Sequence, residues 1–349
     1  MTITVILPFV NLTGGIRVMF DYANWLHDRG HRVTVVYPCW PYRFQYTRKQ
    51  QWGEFQKHRR AGGNVPWYDV RCDVRCVPWI HSRFIPSADV VIATAWPTVR
   101  DVARLPRRCG IKVHIVMHHE SGTGPESQVE SIYRFDFFRI AFSRATAAGI
   151  EERFGCRIDS VVPNGVNPAV FFRDGDCRDD SVLFLYHPDP RKGAVDGLEA
   201  LSRLRERVPS MRVHAVGTVR PTTWPESLPF EFHPADALLR RAYSTSAVLL
   251  YPSRYEGFGL PPLEAMACGC PSVMTRVGAV PEYATHGVNG FLVDAGDVDA
   301  MVHWLARALT DVPMRNEVAA EGLRTAERYS LNVIAPAFAD ALQQAAESR

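Results

Sequence analysis

Residues 247–267 constrain the fold of this chain more than any other stretch. Ala247 to Tyr251 is a short, uncharged apolar run, the pattern of a strand buried on both faces. Ser253-Arg254-Tyr255-Glu256-Gly257-Phe258-Gly259 follows, and Leu260-Pro261-Pro262 opens a helical run to Ala267. A strand, a glycine-rich bend and a proline-opened helix form an anion site. The glycines admit close backbone approach, and the first helical N–H groups have no partner inside the helix. Glu256 and Glu264 flank the bend eight residues apart. A carboxylate beside a diphosphate would be repelled, so this pair suits hydrogen bonds from neutral hydroxyls, which a sugar has in number. Amides for phosphate and carboxylates for hydroxyls describe a nucleotide-sugar site. An ordinary helix start, with acidic residues favoured by its dipole, has the same pattern.

The alternation of short apolar runs with helical periods extends along the whole chain. Strands are expected at Ile3–Leu7, Arg32–Tyr37, Asp89–Thr94, Ile111–Met117, Ala145–Ala148 and Ile158–Val162. A second series is expected at Ser181–His187, Arg212–Val216, Phe230–His233, Ala247–Tyr251 and Ser272–Thr275. Helical spacing runs over Ile16–Arg29, Ile150–Phe154, Ala194–Arg207, Ala235–Tyr243, Val298–Leu309, Pro313–Arg328 and Leu331–Ser348. This is an α/β chain with parallel strands and right-handed crossovers. At 349 residues it exceeds one comfortable core, and Pro163-Asn164-Gly165-Val166-Asn167-Pro168 is turn chemistry suited to a domain crossing.

Glu256-Gly-Phe-Gly-Leu-Pro-Pro-Leu-Glu264 with the following Ala-Met-Ala-Cys-Gly-Cys-Pro resembles the E-x7-E signature of retaining glycosyltransferases of family four. The resemblance implies the GT-B fold: two Rossmann-like domains with parallel sheets facing across a cleft, and a C-terminal helix crossing back. The boundaries it implies are 1–165 for an acceptor-binding domain, 166–330 for a nucleotide-sugar domain and 331–349 for the returning helix. It further implies that Glu256 contacts the donor sugar and Glu264 the ribose, with Gly257, Phe258, Gly259 and Leu260 beside diphosphate and sugar. Gly14 and Gly15, in the loop before the first helix, would approach the diphosphate. His118 and His119, at a strand's carboxyl end, include the family's sugar-facing histidine, with the register between them open. Lys192 matches the family's diphosphate-clamping lysine. The family's arginine position holds His187, and neighbouring Arg191 is a candidate substitute pointing in a different direction. Imidazole is only partly charged at neutral pH, but a nearby phosphate dianion would raise its pKa. Asn167 stands where the family linker has aspartate.

The implied reaction moves a hexose from a nucleoside-diphosphate sugar to a glycan or lipid-linked acceptor, with retention, in cell-surface polysaccharide assembly. Replacing Glu256 or Lys192 by alanine is expected to cut turnover by orders of magnitude while leaving folding intact. The rival readings are a non-hydrolysing nucleotide-sugar epimerase and a non-catalytic binder of anionic surfaces. Asp-x-Asp pairs occur at Asp174/Asp176 in a polar loop and at Asp297/Asp299 where a helix would be N-capped. Neither ends a buried strand, so no metal and no cofactor is expected. Lys192, the helix N-terminus and the loop amides would stabilise the leaving diphosphate instead. No G-x-S-x-G elbow marks a hydrolase.

Charge is unevenly placed. Residues 1–165 carry 22 Lys and Arg against 14 Asp and Glu, and the remainder 18 against 23. A basic first half points to an anionic partner: a membrane face or lipid-phosphate acceptor, with no motif for nucleic acid. Between residues 40 and 84, Trp40, Tyr42, Phe44, Tyr46, Trp52, Phe55, Trp67, Tyr68, Trp79 and Phe84 interleave with cations. Such side chains suit a membrane interface or a sugar-stacking acceptor surface, and equally a plain core with a solvated face. No apolar run is long enough to span a bilayer, which takes about 20 residues, and Thr2–Val10 lacks a basic leader. The eight cysteines lack zinc-ribbon spacing and read as reduced thiols. A cytoplasmic location, extending to the inner face of the cell membrane, is expected.

Overall fold

The computed structural model describes every residue except 43–46, 121–122, 176–179, 220, 222–223, 225–227, 233–234 and 349. The chain forms two compact units, Met1–Asn164 with the residues from Ile334 on, and Gly165–Val333.

The first unit is a seven-stranded parallel sheet of β1 (Thr2–Ile6), β2 (Arg32–Pro38), β3 (Asp73–Val77), β4 (Val90–Ala93), β5 (Ile111–Val116), β6 (Phe138–Ala141) and β7 (Ser160–Val161). Their order is β3-β2-β1-β4-β5-β6-β7. β1 pairs with β2 on one side (Ile3 opposite Val33) and with β4 on the other (Ile3 opposite Val90). The second unit has β8 (Ser181–Tyr186), β9 (Arg212–Gly217), β10 (Phe230–Phe232), β11 (Val248–Tyr251), β12 (Ser272–Thr275) and β13 (Phe291–Val293). Their order is β10-β9-β8-β11-β12-β13, again all parallel. In β8 and β11, Leu183 and Leu249 pack into one apolar cluster while Val182, Phe184, Val248 and Leu250 pack into another. Both faces are covered, which is why these strands read as unbroken apolar runs.

One expected strand is helical. Ala145–Ala148 lies inside the helix Arg144–Phe154, capped by Ser143, whose Oγ accepts from the Thr146 amide, and ended by Gly155 at φ 62°. The strand is β6, disguised by Arg139 in its middle. That guanidinium is buried because it donates to the carbonyls of Tyr133, Phe135, Phe137 and Arg157. The chain crosses between units twice, side by side. Val166 donates to Tyr329 O and accepts from the Leu331 amide, both at 2.8 Å. The helix Leu331–Glu347 then sets Phe338 against Tyr22 and Phe142, with ring centroids 4.3 and 6.5 Å apart.

Candidate functional site

In the second unit the chain leaves β8 toward β9 and later returns to β11 on the opposite side. In open α/β sheets, the carboxyl edge at such a reversal of strand order is where ligands bind. The loops that meet there carry His187–Lys192 and Ser253–Gly259. Lys192 ends a single 3-10 turn, Pro190–Lys192, closed by Gly193 at φ 66°. A Cβ on Gly193 would lie 2.0 Å from the Pro252 carbonyl oxygen, so only glycine fits. The Arg254 and Tyr255 amides donate to the Arg191 carbonyl at 2.7 and 3.1 Å. Arg254 also grips Asp196 through two 2.6 Å bonds, tying the second loop to the helix Ala194–Arg207.

This double tie brings Lys192 Nζ to 2.6 Å from Glu256 Oε1. The same oxygen accepts from Ser253 Oγ at 2.6 Å and from the Tyr251 hydroxyl. Burial and the adjacent carboxylate hold the Tyr251 pKa well above its ordinary value, so the phenol remains a donor. The Glu256 side chain is 9% exposed and that of Lys192 36%. An ammonium has three donors and Glu256 takes one, leaving capacity for phosphate oxygens. The expectation that Glu256→Ala spares folding is revised here. The carboxylate is the acceptor for two buried hydroxyls.

The bend itself is held from behind. Gly257 O accepts from the Ala279 amide at 3.1 Å, and Gly259 O from the Tyr283 hydroxyl at 2.6 Å. Phe258 is buried, and Gly259, at φ 83°, caps the helix Leu260–Ala267 with no side-chain cap. Pro261 and Pro262 remove two of the first helical N–H groups, so an anion at this bend would meet the Leu260 amide and the bend more than a full helix N-terminus. Glu264 Oε2 accepts from the buried Tyr243 hydroxyl at 3.1 Å.

His187 and Arg191 stand differently. His187 Nδ1 accepts from the Asp189 amide at 3.1 Å, which leaves Nε2 as the donor of the neutral ring. Partial desolvation against the loop, then the Lys192 charge, push its pKa below the ordinary value, although the side chain still meets solvent. Arg191 folds back on Asp189 in a bidentate pair at 2.7–3.1 Å, which drives the Asp189 carboxyl down to about 2. The Arg191 charge is thus engaged by a carboxylate two residues away. Asp297 caps the helix Val298–Thr310 by accepting from the Ala300 amide, Asp299 pairs with Arg203, and Asp174 with Arg240. Asp176 lies outside the described residues.

In the first unit, Gly14 and Gly15 open the helix Gly14–Asp28, which follows β1. Space above Gly14 is open, whereas a Cβ on Gly15 would meet Met117 Sδ at 3.0 Å. This glycine therefore lets the loop after β1 sit beside the end of β5. His118 and His119 follow Met117. The His119 ring is stacked on Phe154 (5.4 Å, 16°), itself stacked on Tyr133 (4.3 Å, 12°). Burial and Arg153 lower its pKa. Next to them Glu120 is buried, accepts from the Trp96 amide at 2.9 Å, and has its pKa pushed up to about 7 by desolvation. Ser121 and Gly122 lie outside the described residues.

The aromatic stretch divides into separate places. Tyr68 stacks on Phe20 and donates to Asp21 Oδ1 at 2.6 Å, which is core. Exposed Trp40 and Trp52 pack on half-buried Phe55, the last two on the helix Arg48–Ala61, whose buried side chain is His58. Trp79 packs edge-on to Phe84 elsewhere in the unit. Phe44 and Tyr46 lie outside the described residues, as does Cys177; none of the seven described cysteines is in a disulfide.

Two family models tile the chain: Glycosyltransferase Family 4 over residues 12–170, and Glycosyl transferases group 1 over 181–311. The chain belongs to glycosyltransferase family 4. It is 42% identical over 88 residues to O-antigen chain mannosyltransferase B of Escherichia coli, covering 25% of this chain and 23% of that one. It is 33% identical over 185 residues to the MMP alpha-(1->4)-mannosyltransferase of Mycolicibacterium hassiacum, covering 49% and 44%. The family 4 chain thus spans less than half the length of either relative in these matches. Anabaena HepE, solved with UDP and glucose, superposes with a TM-score of 0.77 at 17% identity over 99% of this chain and 100% of that one. The fold is GT-B.

Proposed function

We propose that this chain is a retaining, metal-independent hexosyltransferase acting from a nucleoside-diphosphate sugar onto a glycan or lipid-linked acceptor in surface polysaccharide assembly. The observation that carries the reading is the Lys192–Glu256 pair at the reversal of strand order, 2.6 Å apart and buttressed by Tyr251 and Ser253. In this scheme Lys192, the Leu260 amide and His187 Nε2 bind the diphosphate. Glu256 orients the sugar, and Glu264 accepts from the ribose. One of His118 and His119, at the end of β5, is the candidate for the sugar-facing histidine. The anomeric carbon–phosphate oxygen bond breaks and a bond to the acceptor oxygen forms on the same face. The acceptor proton leaves on the diphosphate, and Lys192 stabilises the charge that develops there. The mannosyltransferase relatives support mannose as the hexose.

A peripheral contact with an anionic membrane belongs to the same reading. Trp40 packs with Trp52 and Phe55 of a helix that also bears Arg48, Lys49, Lys57, Arg59 and Arg60 with one acid, Glu54. Among the described residues, no helix is long and apolar enough to cross a membrane. The test of function is thermal stabilisation by a panel of UDP, GDP, ADP and dTDP sugars, mannosyl donors included, followed by transfer assays. One donor should stabilise the protein, and Lys192→Ala should abolish most turnover. Conversion of that donor without acceptor would identify an epimerase, and no stabilisation by any donor would defeat the proposal.

A further inference from the structure

A cavity of about 440 Å³ lies within the first unit, walled by the segments that leave β2, β3 and β4. Its volume is in the range of roughly 300–1,000 Å³ usual for small-ligand sites. On one side stands Trp79, 59% exposed, whose ring packs edge-on against Phe84 at 5.6 Å and 88°. An exposed indole held by a neighbouring ring offers a fixed apolar face. Asp101 and Arg104, from the helix Trp96–Ala103 and its end, line the same cavity. The Asp101 carboxylate accepts from the Tyr42 hydroxyl and lies 3.6 Å from the Arg104 guanidinium. His81 and Ser82, on the same segment as Trp79, line the cavity too, and that segment is tied down. The Phe84 amide donates to His81 O at 2.9 Å, and Arg108 donates to the carbonyls of Ser82 and Ile85.

We propose that this cavity is a carbohydrate subsite, taking one or two pyranose rings of the acceptor glycan. The C–H face of a sugar would stack on Trp79, and adjacent hydroxyls would donate to Asp101 and accept from Arg104. A pyranose needs this combination of one flat apolar face and a ring of convergent donors and acceptors. A membrane surface would instead favour cations without a half-buried carboxylate among them. The assignment rests on the reading of the chain as a transferase to glycans, and its test is kept separate from turnover.

The probe is a series of α-linked manno-oligosaccharides from one to four residues, with gluco-oligosaccharides as a second arm, titrated without donor. Binding is followed by saturation-transfer NMR and tryptophan fluorescence. The wild type should bind the longer members of one series. Trp79→Ala should weaken that binding about tenfold, and Trp79→Phe should restore most of it. In turnover, Trp79→Ala should raise KM for a tetrasaccharide acceptor while leaving kcat and donor stabilisation unchanged. Identical titrations for wild type and Trp79→Ala, or no binding of either series, overturn the subsite. Failure of every nucleotide sugar to stabilise the protein overturns the transferase reading instead, whatever Trp79 does.

Discussion

Replacing Glu256 by alanine tests how the site is built into the fold. In the native chain, Glu256 Oε1 is the acceptor for Tyr251 OH, Ser253 Oγ and Lys192 Nζ. Tyr251 is 6% and Ser253 1% exposed, so truncation strands two hydroxyls away from water. At roughly 1–3 kcal/mol per orphaned group, the expected loss is on the order of 2–4 kcal/mol once relief of the carboxylate's own desolvation is set against it. The lysine adds little, because its side chain is 36% exposed and rehydrates. For a domain of this size that is a fall of roughly 5–12 °C in Tm, read by calorimetry and urea unfolding. Glu256→Gln keeps an acceptor and should lose less than half as much stability, while turnover falls with both. Adding Tyr251→Phe to the alanine variant removes one stranded hydroxyl and should recover about 1 kcal/mol. An alanine variant within about 0.5 kcal/mol of wild type, or strictly additive behaviour with Tyr251→Phe, would refute the reasoning.

Three further outcomes are expected. Gly193→Ala forces a Cβ to 2.0 Å from Pro252 O at φ 66°, so it should cost more than about 2 kcal/mol and displace Lys192, seen as lower Tm and lost turnover. Glu120, with its folded pKa raised to about 7 from an ordinary 4.5, contributes stability that is full below pH 4.5 and lost as pH rises through 7. Urea midpoints at pH 5 and 7.5 should therefore converge in Glu120→Gln, and an unchanged gap would count against this burial. His187→Arg puts a permanent charge where a neutral ring sits, so isothermal titration should show the donor diphosphate bound about tenfold tighter, with less dependence on pH between 6 and 8. Equal affinity would mean that position 187 does not reach the phosphates.

Much of the fold was legible because buried parallel strands announce themselves. Ser181–Tyr186 and Val248–Tyr251 are apolar on both faces and stand out without a partner. The strand Asp73–Val77 was not assigned, since it sits at the sheet edge and alternates charge with apolar residues. Phe138–Ala141 was hidden by Arg139, whose burial makes sense only once the four carbonyls around it are folded into place. At the candidate site, Glu256, Lys192 and the glycine bend are the residues that the sequence itself singles out. The buttressing roles of Tyr251, Ser253 and Tyr243 were not legible there, because nothing local distinguishes an aromatic that fills a core from one whose hydroxyl holds a carboxylate.

Sequence by itself determined the alternation of strands and helices, the glycines that admit the tight bends, and the charges that stand at the carboxyl ends of strands. Those are local properties, set by side-chain period and backbone freedom. Tertiary structure alone decided that Lys192 donates to Glu256, 64 positions away. The physical reason is that the order of strands in a sheet, set by global packing, chooses which two loops meet, and no local pattern encodes that order.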